Sequence, residues 1–244
     1  EIGLSEICFL DHLTLDEKGS HLSMTPMEVP LYFYAARRLK AAFEGRVLVK
    51  VGLEIDFSPE SLPAALEVAE RLDFDVLAAS VHFVGGQNLV STRVNREGAP
   101  VADEAFCDAY LESIDGICGH ACFDVICHFD VFKKFGMAAP EAFYEKAGPV
   151  LDRVRDTGKV LEINTSGLRH PVGEIYPAPR LLAKAFEKNI LVCLGSDAHR
   201  PEQVGQDFDI AATALQNTGY THITAFDRKT PYKIPISTLT GGAD

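Results

Sequence analysis

The sequence predicts an α/β fold, either a barrel or a doubly wound sheet, and three observations carry that expectation. Short apolar, β-branched-rich runs alternate with longer amphipathic segments along all 244 residues. The short runs are apolar throughout, the pattern of strands buried on both faces of a parallel sheet. The longer segments carry helix start and stop signals. Alternation of this kind, with no linker, repeat or low-complexity stretch, is most simply one domain over residues 1–244.

Seven runs read as strands: Ile7–Leu10, Val47–Leu53, Val76–Val81, Val125–Cys127, Val160–Ile163, Ile190–Leu194 and Ile223–Phe226. Between them, Thr25-Pro26-Met27-Glu28 has the form of a capping box with proline in the first turn, opening a helix to about Phe43. Ser58-Pro59 opens a second helix towards Leu72, and Asp103 caps a third through Ile114. Pro140 begins a fourth that runs to Thr157 and stops at Gly158. Pro179 to Lys188 and Pro201 to Asn217 complete the set.

Composition narrows the function classes. Hydrophobic residues make up 47% and charged residues 24%, an ordinary globular balance that excludes a disordered, collagenous or coiled-coil chain. No apolar run reaches the roughly 20 residues that cross a bilayer. No basic-then-apolar start reads as a signal peptide. Lys and Arg number 23 against 35 Asp and Glu, for a net charge of −12, which disfavours nucleic acid as the main partner. An anionic substrate then needs a local source of positive charge, from metal ions or a few placed arginines. The six cysteines, Cys8, Cys107, Cys118, Cys122, Cys127 and Cys193, form no C-x-x-C pair. They read as buried free thiols of a reducing compartment, by default the cytoplasm.

The chemistry lies where the strands end. Ile-Cys-Phe-Leu runs into Asp11-His12, Val-Gly-Leu into Glu54-Ile55-Asp56, Ala-Ser-Val into His82, and Val-Ile-Cys into His128-Phe129-Asp130. Leu-Glu-Ile runs into Asn164-Thr165, and Cys-Leu-Gly-Ser into Asp197-Ala198-His199. In a parallel α/β fold the C-terminal strand ends converge on one face. His12, Glu54, His82, His128, Asp197 and His199 are therefore expected to meet. Gathering such groups is costly unless something positive neutralises them. A divalent metal does so, and His, Asp and Glu are the ligands of zinc, manganese and iron.

His21, His120 and His222 lack that context, while His170 follows Arg169 in a loop. Arg169, just past a strand end, and Arg200, directly after His199, are cations set beside this cluster. An anion such as phosphate between arginine and metal would satisfy both. No Gly-rich phosphate loop, nucleophile elbow or H-E-x-x-H motif occurs, so nucleotide-loop, serine-hydrolase and zincin chemistry find no support.

Leu10-Asp11-His12, Gly52-Leu53-Glu54, Ser80-Val81-His82, His128-Phe129-Asp130 and Ser196-Asp197-Ala198-His199 resemble, in order, the signatures of the PHP (polymerase and histidinol phosphatase) superfamily. Glu162-Ile163-Asn164-Thr165-Ser166-Gly167-Leu168-Arg169 and Asp197-Ala198-His199-Arg200-Pro201 resemble its histidinol-phosphate phosphatases. The resemblance implies a distorted (β/α)7 TIM-like barrel holding two or three divalent ions (zinc, manganese or iron). It implies that Glu54 bridges two of them, with Asp197 on one and His82 and His128 on the other. His12 and His199 would hold the third, and Arg169 and Arg200 would grip the phosphate.

The implied reaction is hydrolysis of a small phosphate monoester, L-histidinol phosphate, to histidinol and inorganic phosphate, by a metal-bridging hydroxide attacking phosphorus. Asp11, Asp130 or a neighbouring histidine is expected to protonate the leaving oxygen. Two alternatives stand beside it: another PHP phosphoesterase acting on nucleotides or DNA ends, and a non-catalytic PHP structural or interaction domain. The family's first strand carries a His-x-His pair that nothing here matches, so that strand is expected to be missing, with roughly 25–35 residues preceding Glu1, the length of one βα unit. The sequence leaves the oligomeric state open.

Overall fold

A computed structural model of the chain describes residues 3–15, 21, 23–91 and 101–240. Six parallel strands are laid side by side: β1 (Glu6–Leu13), β2 (Leu48–Asp56), β3 (Val76–Ser80), β6 (Val125–Ile126), β7 (Val160–Asn164) and β8 (Val192–Gly195). Their spatial order follows their chain order, and each step is crossed by helix: α1 (Val29–Ala42), α2 (Leu62–Ala69), α3 (Glu104–Cys118), α4 (Glu141–Asp156) and α5 (Pro179–Glu187). The sheet stays open among the described residues, with β1 and β8 at its edges. A two-residue pair, β4 (Phe83–Val84) and β5 (Gln87–Asn88), forms a small hairpin after β3, and α6 (Phe208–Thr218) follows β8.

The strand period of two separates the faces. Val51, Leu53, Ile55, Leu77, Ala79, Ile126, Leu161, Ile163 and Val192 point into the main core, against Phe33, Ala36, Leu111, Ile114, Leu151 and Leu182 of the helices. The alternate residues Val76, Ala78, Val125, Cys127 and Val160, with Leu10 and Cys193, build a smaller core on the other face. Gly52 lies among them because a Cβ there would sit 2.6 Å from Val76 Cγ1. Towards the C-terminal strand ends this second face turns polar, at His12, Glu54 and Asp56, Ser80, and Glu162 and Asn164.

The predicted strands are found, with differences of physical origin. β1 and β2 run on through His12 and Glu54, which lie within strands rather than past them, because the ladder pairs His12 with Glu54 and Asp56 with Ser80. The seventh expected strand, Ile223–Phe226, does not join the parallel sheet. It becomes β9 (His222–Asp227), antiparallel to β10 (Thr230–Pro235), and α7 (Ser237–Thr240) follows. Arg228 and Lys229 turn this hairpin with φ of +47° and +61°, the left-handed pair that a two-residue hairpin turn demands. Those residue types do not advertise such a turn.

The hairpin braces the N-terminal end of the sheet. Lys50 Nζ lies 2.8 Å from Asp227 Oδ1, the Tyr232 hydroxyl donates to Glu6, and the Lys229 amide donates to the Asp75 carbonyl at 2.7 Å.

Among the helices, Asp103 caps α3 as expected, accepting the Phe106 amide at 2.8 Å, and Gly158 ends α4 with φ +68°. At the predicted capping box, Glu28 accepts the Thr25 amide and hydroxyl, each at 2.8 Å, yet the regular helix starts only at Val29. α2 likewise starts at Leu62 rather than at Ser58, whose hydroxyl turns to Glu60. The segment from Pro201 is not one helix. A short 3₁₀ turn at Pro201–Gln203 is separated from α6 by Gly205 and Asp207, at φ +69° and +62°.

All six cysteines are unpaired. Cys107, Cys118 and Cys127 are buried, but Cys8 is exposed, against expectation, because β1 is an edge strand. No described helix is long and apolar enough to cross a membrane.

Candidate metal centre

Four strand ends, of β1, β2, β3 and β6, bring His12, His82 and His128 together around Glu54, which is buried on β2. Its Oε1 lies 3.6 Å from His12 Nδ1, 3.8 Å from His82 Nε2 and 3.4 Å from His128 Nε2. The two last nitrogens are 3.3 Å from each other. His12, Glu54 and His82 each offer one atom within 4.8 Å of the others. Ligand atoms about 2.0–2.1 Å from a tetrahedral zinc stand about 3.3 Å apart, so this spacing suits a divalent ion. Glu54 Oε1 and His128 Nδ1 are buried and lack a hydrogen-bond partner. Such orphaned atoms are expensive without a cation, and the residues therefore fit a metal.

Each ligand has local support. His82 follows β3, with its amide donating to Asp56 Oδ1 at 3.1 Å and its Nδ1 lying 3.4 Å from Asp56 Oδ2. A carboxylate behind a ligating imidazole sets ring orientation and basicity. His128 follows β6 with φ +23°, a conformation a non-glycine residue rarely adopts. Asp197 follows β8, also left-handed at φ +47°, and its Oδ2 accepts the Ser166 hydroxyl at 3.0 Å. His199 is exposed, with Nδ1 3.5 Å from Asp197 Oδ1 and its ring 6.0 Å from that of His12.

Electrostatics follow from this crowding. Burial alone would raise the Glu54 carboxyl, but the imidazoles of His12, His128 and His82 overcome it and hold it far below the usual range. Burial opposes the charge on His128, yet Glu54, with Glu162 and Asp197 behind it, pushes that imidazole up to about 9. Asp197 is lowered: burial works against its charge, and His128 prevails.

Arg169 closes a 3₁₀ turn after β7 (Ser166–Arg169). Its Nη2 donates to the carbonyls of Ser196 at 2.6 Å and Asp197 at 3.3 Å, while Nη1 is buried without an acceptor. That free corner can take an anion beside the ligand cluster. Arg200 is exposed: its carbonyl accepts the Gln203 amide at 3.0 Å, but no hydrogen bond or ion pair fixes its guanidinium among the described residues. Lys134 escaped the sequence reading. It is half-buried in the 3₁₀ turn Val131–Phe135, unpaired with any carboxylate among the described residues, and its ammonium is lowered by burial and by Arg169 despite Asp197. Its neighbour Lys133 hides it in sequence, since a Lys-Lys pair reads as surface.

Asp130 is not placed to protonate a substrate. It is 0% exposed, its Oδ2 lies 2.7 Å from Lys133 Nζ, and it accepts the Ala178 amide at 3.0 Å. Asp11 is exposed and accepts the His12 amide at 2.8 Å. His170 packs its half-buried ring on Phe135, where burial and then Lys134 lower it to about 4. His21 and His222 are exposed, and His120 packs against Phe57.

Comparison with known proteins fits this geometry. The PHP domain family matches residues 1–166. The probable histidinol-phosphatase of Deinococcus radiodurans is 34% identical over 94% of this chain and 88% of its own length. The histidinol-phosphatase of Bacillus subtilis is 25% identical over 85% of this chain and 86% of its own. In fold, the chain is similar to the histidinol phosphate phosphatase of Lactococcus lactis, solved with zinc, L-histidinol and phosphate. The TM-score is 0.75 at 21% identity, over 95% of this chain and 88% of that one. A histidine- and carboxylate-lined sheet end, a match over the first 166 residues and a relative 34% identical over 94% of this chain agree: the chain belongs to the PHP domain family.

Proposed function

We propose that this chain is a divalent-metal-dependent phosphatase that hydrolyses L-histidinol phosphate to histidinol and inorganic phosphate. The observation that carries the reading is the half-buried Arg169, anchored through Nη2 with its Nη1 atom buried and unsatisfied, beside a carboxylate–imidazole cluster suited to metal. Relatives named as histidinol-phosphatases support the choice of substrate.

In this reading His12, Glu54, His82, His128, Asp197 and His199 hold two or three ions of zinc, manganese or iron. Bound there, the ions supply Lewis acidity, offsetting phosphate charge and making water acidic enough to attack near neutral pH. Arg169 holds a non-bridging phosphate oxygen through Nη1, and Arg200 swings from its exposed position to hold another. Their charge counts most as the phosphoryl group passes between oxygens, which is the condition for acceleration. The oxygen of water bonds to phosphorus as one of its O–H bonds breaks, the ester P–O bond breaks, and the leaving alkoxide takes up a proton in place of the one that water released, giving histidinol and monohydrogen phosphate.

The reading treats residues 1–244 as one functional domain, since Arg169, Asp197, His199 and Arg200 all lie beyond residue 166, where the family match ends. It takes the open six-stranded sheet as the body of a distorted (β/α)7 barrel. It places the chain in the cytoplasm with a small-molecule partner, without nucleic acid or membrane.

The test is phosphate release from L-histidinol phosphate, an aryl phosphate and a nucleoside monophosphate, with manganese or zinc supplied. Strong preference for histidinol phosphate is expected. Preference for the nucleotide would move the chain to another phosphoesterase activity, and no release from metal-loaded protein would make it a non-catalytic module.

A further inference from the structure

β7 is the parallel strand that contributes no candidate ligand, yet it carries polar side chains to the site. Glu162 Oε2 accepts two donors, the backbone amide of His128 at 2.9 Å and Asn164 Nδ2 at 2.9 Å. Asn164 Oδ1 in turn accepts the Ser166 amide at 2.8 Å, and the Ser166 hydroxyl donates to Asp197 Oδ2 at 3.0 Å. A continuous chain of hydrogen bonds therefore runs from the ligand that follows β6 to the ligand that follows β8. Both ends have left-handed backbone, His128 at φ +23° and Asp197 at φ +47°. Neither residue holds such a conformation without support from its surroundings. The space for Glu162 is reserved as well, because a Cβ on Gly195 of the next strand would fall 1.8 Å from Glu162 Oε1.

We propose that Glu162 is a positioning residue which, through Asn164 and Ser166, sets the separation of the metal ligands His128 and Asp197. The inference rests on the metal-dependent reading above. What the role requires is an acceptor oxygen at Oε2 rather than a negative charge, and this separates it from direct ligation. Partners behind metal ligands typically change metal affinity by about 10–100-fold when removed.

The experiment measures apparent Mn²⁺ and Zn²⁺ affinity by competition with a chelating dye, starting from metal-free full-length protein. Melting temperatures without metal are recorded in parallel. Glu162→Gln keeps the acceptor and is expected to bind metal within about threefold of wild type, whereas Glu162→Leu is expected to weaken binding by about 10–100-fold. Ser166→Ala cuts only the Asp197 arm and is expected to weaken binding without moving the metal-free melting temperature. Should Glu162→Leu fail to fold, Asn164→Ala and Ser166→Ala carry the test. Wild-type affinity in folded Glu162→Leu, or in both of those variants, overturns the proposal. So does Glu162→Gln behaving like Glu162→Leu, which would make the charge the active property. Wild-type protein that binds neither metal overturns the metal-dependent reading itself.

Discussion

His12 and Glu54 are register partners across the β1–β2 ladder, and their side chains meet with Nδ1 and Oε1 3.6 Å apart. Parallel pairing, not loop structure, brings these two groups together. The ladder is continuous from Glu6 and Leu48 to Leu13 and Ile55, so the contact is as rigid as the sheet. Rigid strands hold functional groups more tightly than loops do.

Metal should therefore act as a stabilising ligand of the folded state. At one hundred times its dissociation constant an ion adds about 2.7 kcal/mol. Titrating Mn²⁺ into metal-free protein is expected to raise the melting temperature. Glu54→Ala is expected to lose both that rise and the bound metal measured by elemental analysis. A fully metallated, active Glu54→Ala protein would contradict the central place of this carboxylate.

Arg169→Ala is expected to lower turnover of histidinol phosphate by roughly 10²–10³, the usual cost of one transition-state donor, with metal content unchanged. Arg169→Lys should recover little, because a point charge cannot reach two backbone carbonyls and an anion together. Steady-state kinetics beside elemental analysis of each variant checks this, and loss of metal in Arg169→Ala would assign the guanidinium a different role.

The metal-free protein should lose stability as pH rises. His128 titrates near 9 in the fold, above its ordinary value of 6.5. Its ion pairing with Glu54 therefore contributes in full below about pH 6.5 and is lost as pH climbs through 9. Glu54 is shifted the other way, so its contribution is present above its ordinary value of 4.5 and fades only in strong acid. Urea midpoints between pH 6 and 10 are expected to fall across that window, and saturating Zn²⁺ should flatten the curve. A midpoint that rises with pH in metal-free protein would refute the assignment.

Lys133→Met should destabilise the fold without touching the chemistry directly. Lys133 Nζ lies 2.7 Å from the fully buried Asp130, so its removal strands a carboxylate in the interior. Breaking a buried pair from one side costs about 3–5 kcal/mol. Denaturant unfolding is the check, and a neutral result would mean that Asp130 is protonated in the fold.

The order of strands and helices was legible from hydrophobic period and capping residues, and the ligand cluster from acids and imidazoles at strand ends. Three things were not. Gly205 and Asp207 break the segment after Pro201 through backbone geometry, and residue type hints at that only at the glycine. β10 hides behind Pro231 and Pro235, which an edge strand tolerates and a pattern reading rejects. Glu162 looked like one more letter of a strand, because its importance lies in whom it bonds: a backbone amide 34 residues earlier. Asp130 failed in the opposite sense, since a strand-end acid is a fair catalytic candidate until burial and Lys133 take it away.

The β9–β10 hairpin gives the two rims of the sheet opposite characters. At the N-terminal rim, Lys50, Asp75, Asp227 and Tyr232 tie the hairpin down, whereas the C-terminal rim keeps orphaned atoms of Glu54, His128 and Arg169. One rim is settled by the polypeptide alone, and the other gathers the groups suited to an ion and an anion. Chelation should then loosen the protein from the ligand rim inward, with amide exchange quickening first around His82, His128 and Asp197 while β9 and β10 stay protected.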